Sequence, residues 1–153
     1  MALDTIDQQL VALLQHDARA SVASLAKHVG LSAPAVGERL KKLEHSGVIR
    51  GYIADIDPSK VGLPIAAFVA ISAKPRKSGQ PLAEALSNLP AVEELYAVAG
   101  LYSYLAKVRL ASTEELDKFL DELLLIDGVE RSETQVVLRT VAEHALSFPA
   151  PRP

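Results

Sequence analysis

The stretch GLSAPAVGERLKKLEHSGVI, residues 30–49, opens on a glycine, passes through a serine and a proline, and runs on as a short basic helix pattern. Gly30 is the residue type best able to take the left-handed backbone that closes a preceding helix. Ser32 can cap the helix that follows, and Pro34 is tolerated in its first turn because the amide it lacks would have no intrahelical partner. Val36, Leu40 and Leu43 then recur as one buried stripe. The opposite side presents Ala35, Glu38, Arg39, Lys41 and Lys42, and the pattern ends near Gly47.

Working toward the N-terminus, Leu3, Ile6, Leu10, Leu13 and Leu14 share one helical face, with Asp4 and Asp7 where an N-cap and its reciprocal partner would sit. That helix is expected to end near His16. Val22, Leu25, Ala26 and Val29 form a second short pattern closed by Gly30. Two helices joined by about four residues with a glycine, the second narrow and basic, make a helix-turn-helix. In that reading the small front of the third helix, Ser32, Ala33, Pro34 and Ala35, approaches base edges. Arg39, Lys41 and Lys42, with Glu38 among them, lie where phosphates set the register on double-stranded DNA. A plain three-helix bundle with a solvated basic face is the competing reading. The coincidence of helix length, glycine turn and basic face favours DNA.

The chain of 153 residues has room for one ordinary domain or two small ones, and 49% hydrophobic with 23% charged residues is a globular composition. No apolar run approaches a membrane span, and MALDTIDQQL is acidic rather than a basic leader, so a cytoplasmic protein without a membrane partner is expected. Cysteine is absent, which excludes disulfides, thiolate zinc sites and cysteine nucleophiles. Net charge is −3, but residues 27–50 carry five basic and two acidic side chains, whereas residues 61–153 carry nine and twelve. The anion-binding end is therefore the N-terminal one.

After Gly47, VIRGYIADIDP alternates apolar and polar residues and reads as a hinge strand ended by Pro58. From Ile65 the expected order is strand (IAAFVAISA), helix (PLAEALSNL), strand (VEELYAVA), strand (YSYLAKVRL), helix (STEELDKFLDELLLI) and strand (VERSETQVVLRTV). Leu116, Phe119, Leu120, Leu123 and Leu124 give the second of these helices a wide apolar stripe, and Ser112 with Glu115 has capping-box spacing. Tyr102, Tyr104, Ala106, Val108 and Leu110 share one strand face. The fold class is thus α+β: a helix-turn-helix, winged-helix-like domain over residues 1–50, a hinge strand and linker over 51–63, and a ferredoxin-like βαββαβ domain over 64–145. A proline-rich tail follows at 146–153. A sheet covered on one side leaves its other face open, and a second copy of the chain is the commonest cover for such a face.

These residues resemble the Lrp/AsnC, or feast/famine, transcription regulators along nearly the whole chain. The segment from LDTIDQQLVALL to DPSKVGL is similar to that family's DNA-binding region and hinge, and GVERSETQVVL to its last strand. The resemblance implies a homodimer built through the ferredoxin-like sheets, often assembled into tetramers or octamers. It also implies a small effector, often an amino acid, bound where subunits meet. The family's effector turn reads glycine, acidic residue, aromatic, aspartate; here it reads Gly100, Leu101, Tyr102, Ser103. Gly100 and Tyr102 match, while Leu101 and Ser103 remove the two charges, one of which would pair with an effector's ammonium group. Thr134 matches the family position in the last strand and keeps a hydroxyl for a polar ligand.

Two other classes compete. Decarboxylases of a haem precursor are similar to this family and use histidine in the second domain, but His16, His28 and His45 lie in the N-terminal half, leaving only His144 beyond it. No pair of them has metal-site spacing and no phosphate-loop or metalloprotease motif occurs. No catalytic residue, metal or cofactor is therefore expected. The remaining class is an architectural protein that wraps DNA without ligand gating.

Overall fold

The computed structural model describes residues 3–75, 77 and 79–143. They divide into two compact units, one reaching Asp55 and including Ala142 and Glu143, the other spanning Ile56–Val141. The proline-rich tail and His144 lie outside the described residues.

The first unit is three helices, α1 (Thr5–His16), α2 (Val22–Val29) and α3 (Ala33–His45). Each starts on a side-chain cap from the residue before it: Asp4 accepts from the Asp7 amide, Ser21 from Ser24 and Ser32 from Ala35. Gly30 takes the left-handed conformation at φ 70°, and both its amide and that of Leu31 donate to the Ala26 carbonyl. This is what makes the turn between α2 and α3 tight. Leu10, Leu14, Leu25, Ala26, Val36, Leu40 and Leu43 close the core, as the periodicity requires. No hairpin wing follows α3 among the described residues.

The expected hinge strand does not form. Residues 48–57 carry no ladder, and only a 3-10 turn at Pro58–Val61 interrupts the passage to the second unit. An alternating sequence supplies a strand's faces, but a strand also requires a neighbour for its amides and carbonyls, and this chain supplies none there.

The second unit is β1 (Ile65–Ala73), α4 (Gln80–Ser87), β2 (Val92–Ala97), β3 (Tyr104–Leu110), α5 (Thr113–Leu125) and β4 (Val129–Val136). The strands form one antiparallel sheet in the order β2-β3-β1-β4, the split βαββαβ arrangement. Val69, Ile71, Tyr104, Ala106 and Val108 pack beneath Leu82 and Leu86 of α4 and Leu116, Phe119 and Leu123 of α5. Leu124, expected in that stripe, is 49% exposed. Tyr102 falls outside the strand it was expected to share with Tyr104. Among the described residues nothing covers the sheet's other face, and Phe68 and Tyr96 stand exposed on it. No described helix is long and apolar enough to cross a membrane.

Candidate functional site

α3 places its expected DNA-facing residues on a common surface. Ser32, Ala33, Pro34, Ala35 and Glu38 are exposed, while Val36, Leu40 and Leu43 hold the helix from below. The cations on this surface are in three different states. Lys42 is exposed and makes no ion pair among the described residues. Lys41 holds Glu38 at 2.9 Å, an exposed pair that each partner stabilises in its charged form: the Glu38 carboxyl is lowered and the Lys41 ammonium raised by their shared hydrogen bond. Arg39 is turned back into its own unit, its Nη1 donating to Asp4 Oδ2 at 2.6 Å and Asp7 Oδ1 at 2.7 Å.

That double contact changes the expected role of Arg39. A guanidinium held by two carboxylates ties α3 to the start of α1 and is not free to sit on a phosphate. Asp7 likewise departs from the capping-box expectation: its side chain serves Arg39, 32 residues away, while its amide serves the Asp4 cap. The Asp4 carboxyl is held below the ordinary aspartate range, chiefly by the Asp7 amide and then by Arg39.

At the far end of the chain, the Gly100–Ser103 turn joins β2 to β3. Gly100 has φ 140°, a conformation that favours glycine. Leu101 is 73% exposed. Ser103 is occupied locally, its hydroxyl accepting from the Ala73 amide at 3.2 Å and its amide donating to the Ile71 carbonyl at 2.9 Å. The Tyr102 hydroxyl donates to Glu133 of β4, Arg131 lies over the Tyr102 ring at 5.5 Å, and Arg131 Nε donates to Ser72 Oγ at 3.3 Å. Thr134 is paired with Val69 and so lies on the helix-covered side, one position from Glu133 and on the opposite face. The turn residues therefore stand together, Thr134 stands apart, and Arg131 and Glu133 are members the sequence did not single out. Alternation along β4 was the available signal, since it sets Arg131, Glu133 and Gln135 on one face.

A second charged cluster crosses the open face. Lys107 Nζ lies 3.2 Å from Glu93 and 3.4 Å from Glu94, and Arg109 Nη2 lies 3.5 Å from the same Glu93 oxygen. Tyr96 donates to Glu94, which lowers the Glu94 carboxyl and raises the phenol.

Comparison with known proteins agrees with both units. Residues 3–44 match the AsnC-type helix-turn-helix domain and residues 66–146 the Lrp/AsnC ligand binding domain. The chain is 37% identical over 141 residues to the HTH-type transcriptional regulator FL11 of Pyrococcus horikoshii, covering 92% of this chain and 93% of that one. The crystal structure of the Mycobacterium tuberculosis leucine response regulatory protein superposes with a TM-score of 0.88 at 36% identity, over 96% of this chain and 100% of that one. A Neisseria meningitidis transcriptional regulator solved as an L-Met complex gives 0.83 at 29% identity, over 97% of each. With two family models spanning both units and relatives of this identity over nearly its full length, the chain belongs to the Lrp/AsnC family of HTH-type transcriptional regulators.

Proposed function

We propose that the chain regulates transcription as a dimer or larger homo-oligomer that reads double-stranded DNA through α3 and responds to an amino-acid effector. The observation that carries the DNA reading is the exposed front of α3, where Ser32, Ala33, Pro34 and Ala35 offer little bulk. Behind them Lys41 and Lys42 are the cations in reach of phosphate. A two-fold pair of such units reads two half-sites about 34 Å apart or a multiple of it. The open sheet face, with Phe68 and Tyr96 exposed, supports assembly through the second unit, with the hinge between the two. At the turn, Gly100, Leu101, Tyr102 and Ser103 contribute shape and hydroxyls where subunits meet, while Thr134, expected beside them, lies on the opposite face of the sheet. A ligand there meets no free charge from the turn itself.

The test is footprinting on DNA upstream of the chain's own gene, with and without each free amino acid. A phased, salt-sensitive footprint that moves with one amino acid is the expected result. Replacing Ala35 with Gln should change which bases are preferred at one position of each half-site by about 1–3 kcal/mol. Unchanged preference would remove Ala35 from the base-reading surface.

A further inference from the structure

An apolar groove of about 360 Å³ opens on the helical unit, and no residue of α3 lines it. Its α1 side is Gln9, Ala12, Leu13 and His16, and its α2 side is His28 and Val29. The four α1 residues follow the spacing i, i+3, i+4, i+7 and so form one stripe along that helix. Leu13 and Val29 were expected in buried stripes, yet both are only part-buried and pack at the edge of the core beneath the groove. The result is an apolar floor with a rim of one amide and two imidazoles. Its complement is a mostly apolar segment that brings hydrogen-bond acceptors.

The chain itself carries such a segment. After β4 it comes back to the helical unit at Ala142 and Glu143, and the residues that follow, 144–153, read HALSFPAPRP. The match to the Lrp/AsnC ligand binding domain stops at residue 146, so SFPAPRP lies beyond the part that the family model spans. Proline fixes φ near the polyproline II value and brings no amide hydrogen, so Pro149, Pro151 and Pro153 favour an extended segment with free carbonyls and few donors to leave unpaired on burial. Segments of that kind dock into grooves floored by apolar and ring side chains. Gln9 supplies an amide donor for a carbonyl, and His16 and His28 supply flat faces for proline rings. His28 Nδ1 lies 2.8 Å from the Ser24 carbonyl, which holds that ring in place.

Reach and volume both suffice. Ten residues in polyproline II extend about 30 Å, whereas the 12 residues of α1 are roughly 18 Å long, so the groove is in range of a segment that starts on the same unit. A cavity of about 150 Å³ accepts a benzene, so 360 Å³ takes the Phe148 ring with a proline beside it. We infer that residues 147–153 of this chain dock into the groove between α1 and α2, with Phe148 as the anchor, and form a fourth element of the DNA-binding unit. Val29 precedes Gly30, whose left-handed turn sets α2 against α3, so a segment seated on His28 and Val29 braces the helix-turn-helix from the side that DNA does not use.

Cysteine pairs test the inference cleanly, because the chain has no thiol of its own. Ala12→Cys with Ala150→Cys places one thiol in the groove and one in the tail, and Glu38→Cys with Ala150→Cys moves the first to the exposed front of α3. Under mild oxidation of the dilute full chain, the groove pair is expected to close within one chain at least ~10-fold faster than the α3 pair, since docking holds its thiols together whereas the tether alone gives both pairs a similar local concentration. Adding Phe148→Ala to the groove pair should remove most of that advantage. Amide exchange gives the second reading: in Phe148→Ala alone, α1 and the end of α2 are expected to exchange at least ~3-fold faster than in wild type, with β1 to β4 unchanged and an intact helical circular-dichroism signal as the check on folding. Equal closure rates in the two pairs, or exchange that Phe148→Ala leaves unaffected, overturns the inference. A groove pair that closes between two chains, giving a covalent dimer, also overturns it, because the occupant is then a second copy's tail.

Discussion

Arg39 and Arg109 sit in the two units, both part-buried, and end in opposite conditions. Arg39 has two carboxylates at 2.6 and 2.7 Å; Arg109 has one at 3.5 Å and an Nε with no hydrogen-bond partner among the described residues. The first is a finished contact that joins two helices, and its geometry leaves little for a phosphate to gain. The second is an unfinished contact on the open sheet face. A basic residue on a functional surface is therefore not by that fact a ligand contact: what decides is whether its donors are already satisfied.

The largest test of the division into units is Leu43→Ala. Leu43 is 1% exposed at the centre of the helical core, so its truncation should cost about 2–5 kcal/mol. Segment-resolved hydrogen exchange should place that loss in α1 to α3 and leave β1 to β4 unchanged. Loss spread evenly over both units would merge them into one cooperative body. Arg39→Met comes next. Its partners are partly exposed, Asp7 at 17% and Asp4 at 52% of their side chains, which sets the effect between that of a surface pair and that of a buried one. DNA binding should fall equally at all sites and with it the midpoint of urea unfolding. An unchanged midpoint with a shallower salt dependence would return Arg39 to the phosphate backbone.

The same lock gives an acid limb. Asp4 has its folded pKa lowered, so its contribution is present above the unfolded value and is lost as pH falls through the folded one, below about pH 4. Because the Asp7 amide is the larger cause, Arg39→Met should shrink this acid limb and not abolish it. Stability that rises on acidification to pH 3 would contradict the assignment.

What was legible in the sequence divides along the same line. Caps are local, so Asp4, Ser32 and Ser112 could be read from spacing, and the stripes of α1 to α3 followed from period alone. Partners across the chain could not. Asp7 looked like half of a capping box because nothing in its neighbourhood announces Arg39. Glu115 accepts from the Ala111 amide at 3.1 Å, one residue earlier than the box predicts. Glu133 and Tyr102 meet through the register of β4 on β1, which shifts between Ser72 and Ala73, and alternation cannot reveal such a shift. Residues 48–57 had the pattern of a strand, and pattern says nothing of whether a neighbour exists.

The smallest expected effect separates the two lysines that remain on α3. Lys42 makes no ion pair among the described residues and stands ready for a phosphate, so Lys42→Ala should reduce the slope of log affinity against log salt by about one per subunit. Between 50 and 200 mM salt that amounts to about 3.5-fold less loss per subunit. Lys41 has first to leave Glu38, but an exposed pair of this kind is weak in water, and a phosphate in its place restores the charge balance. Lys41→Ala should therefore lower the slope as Lys42→Ala does while freeing Glu38, and Glu38→Gln should raise affinity slightly by removing a competing carboxylate. If both lysines alter the slope and Arg39 alters only the stability, the basic face of α3 resolves into two phosphate contacts and one structural lock, which net charge alone cannot distinguish.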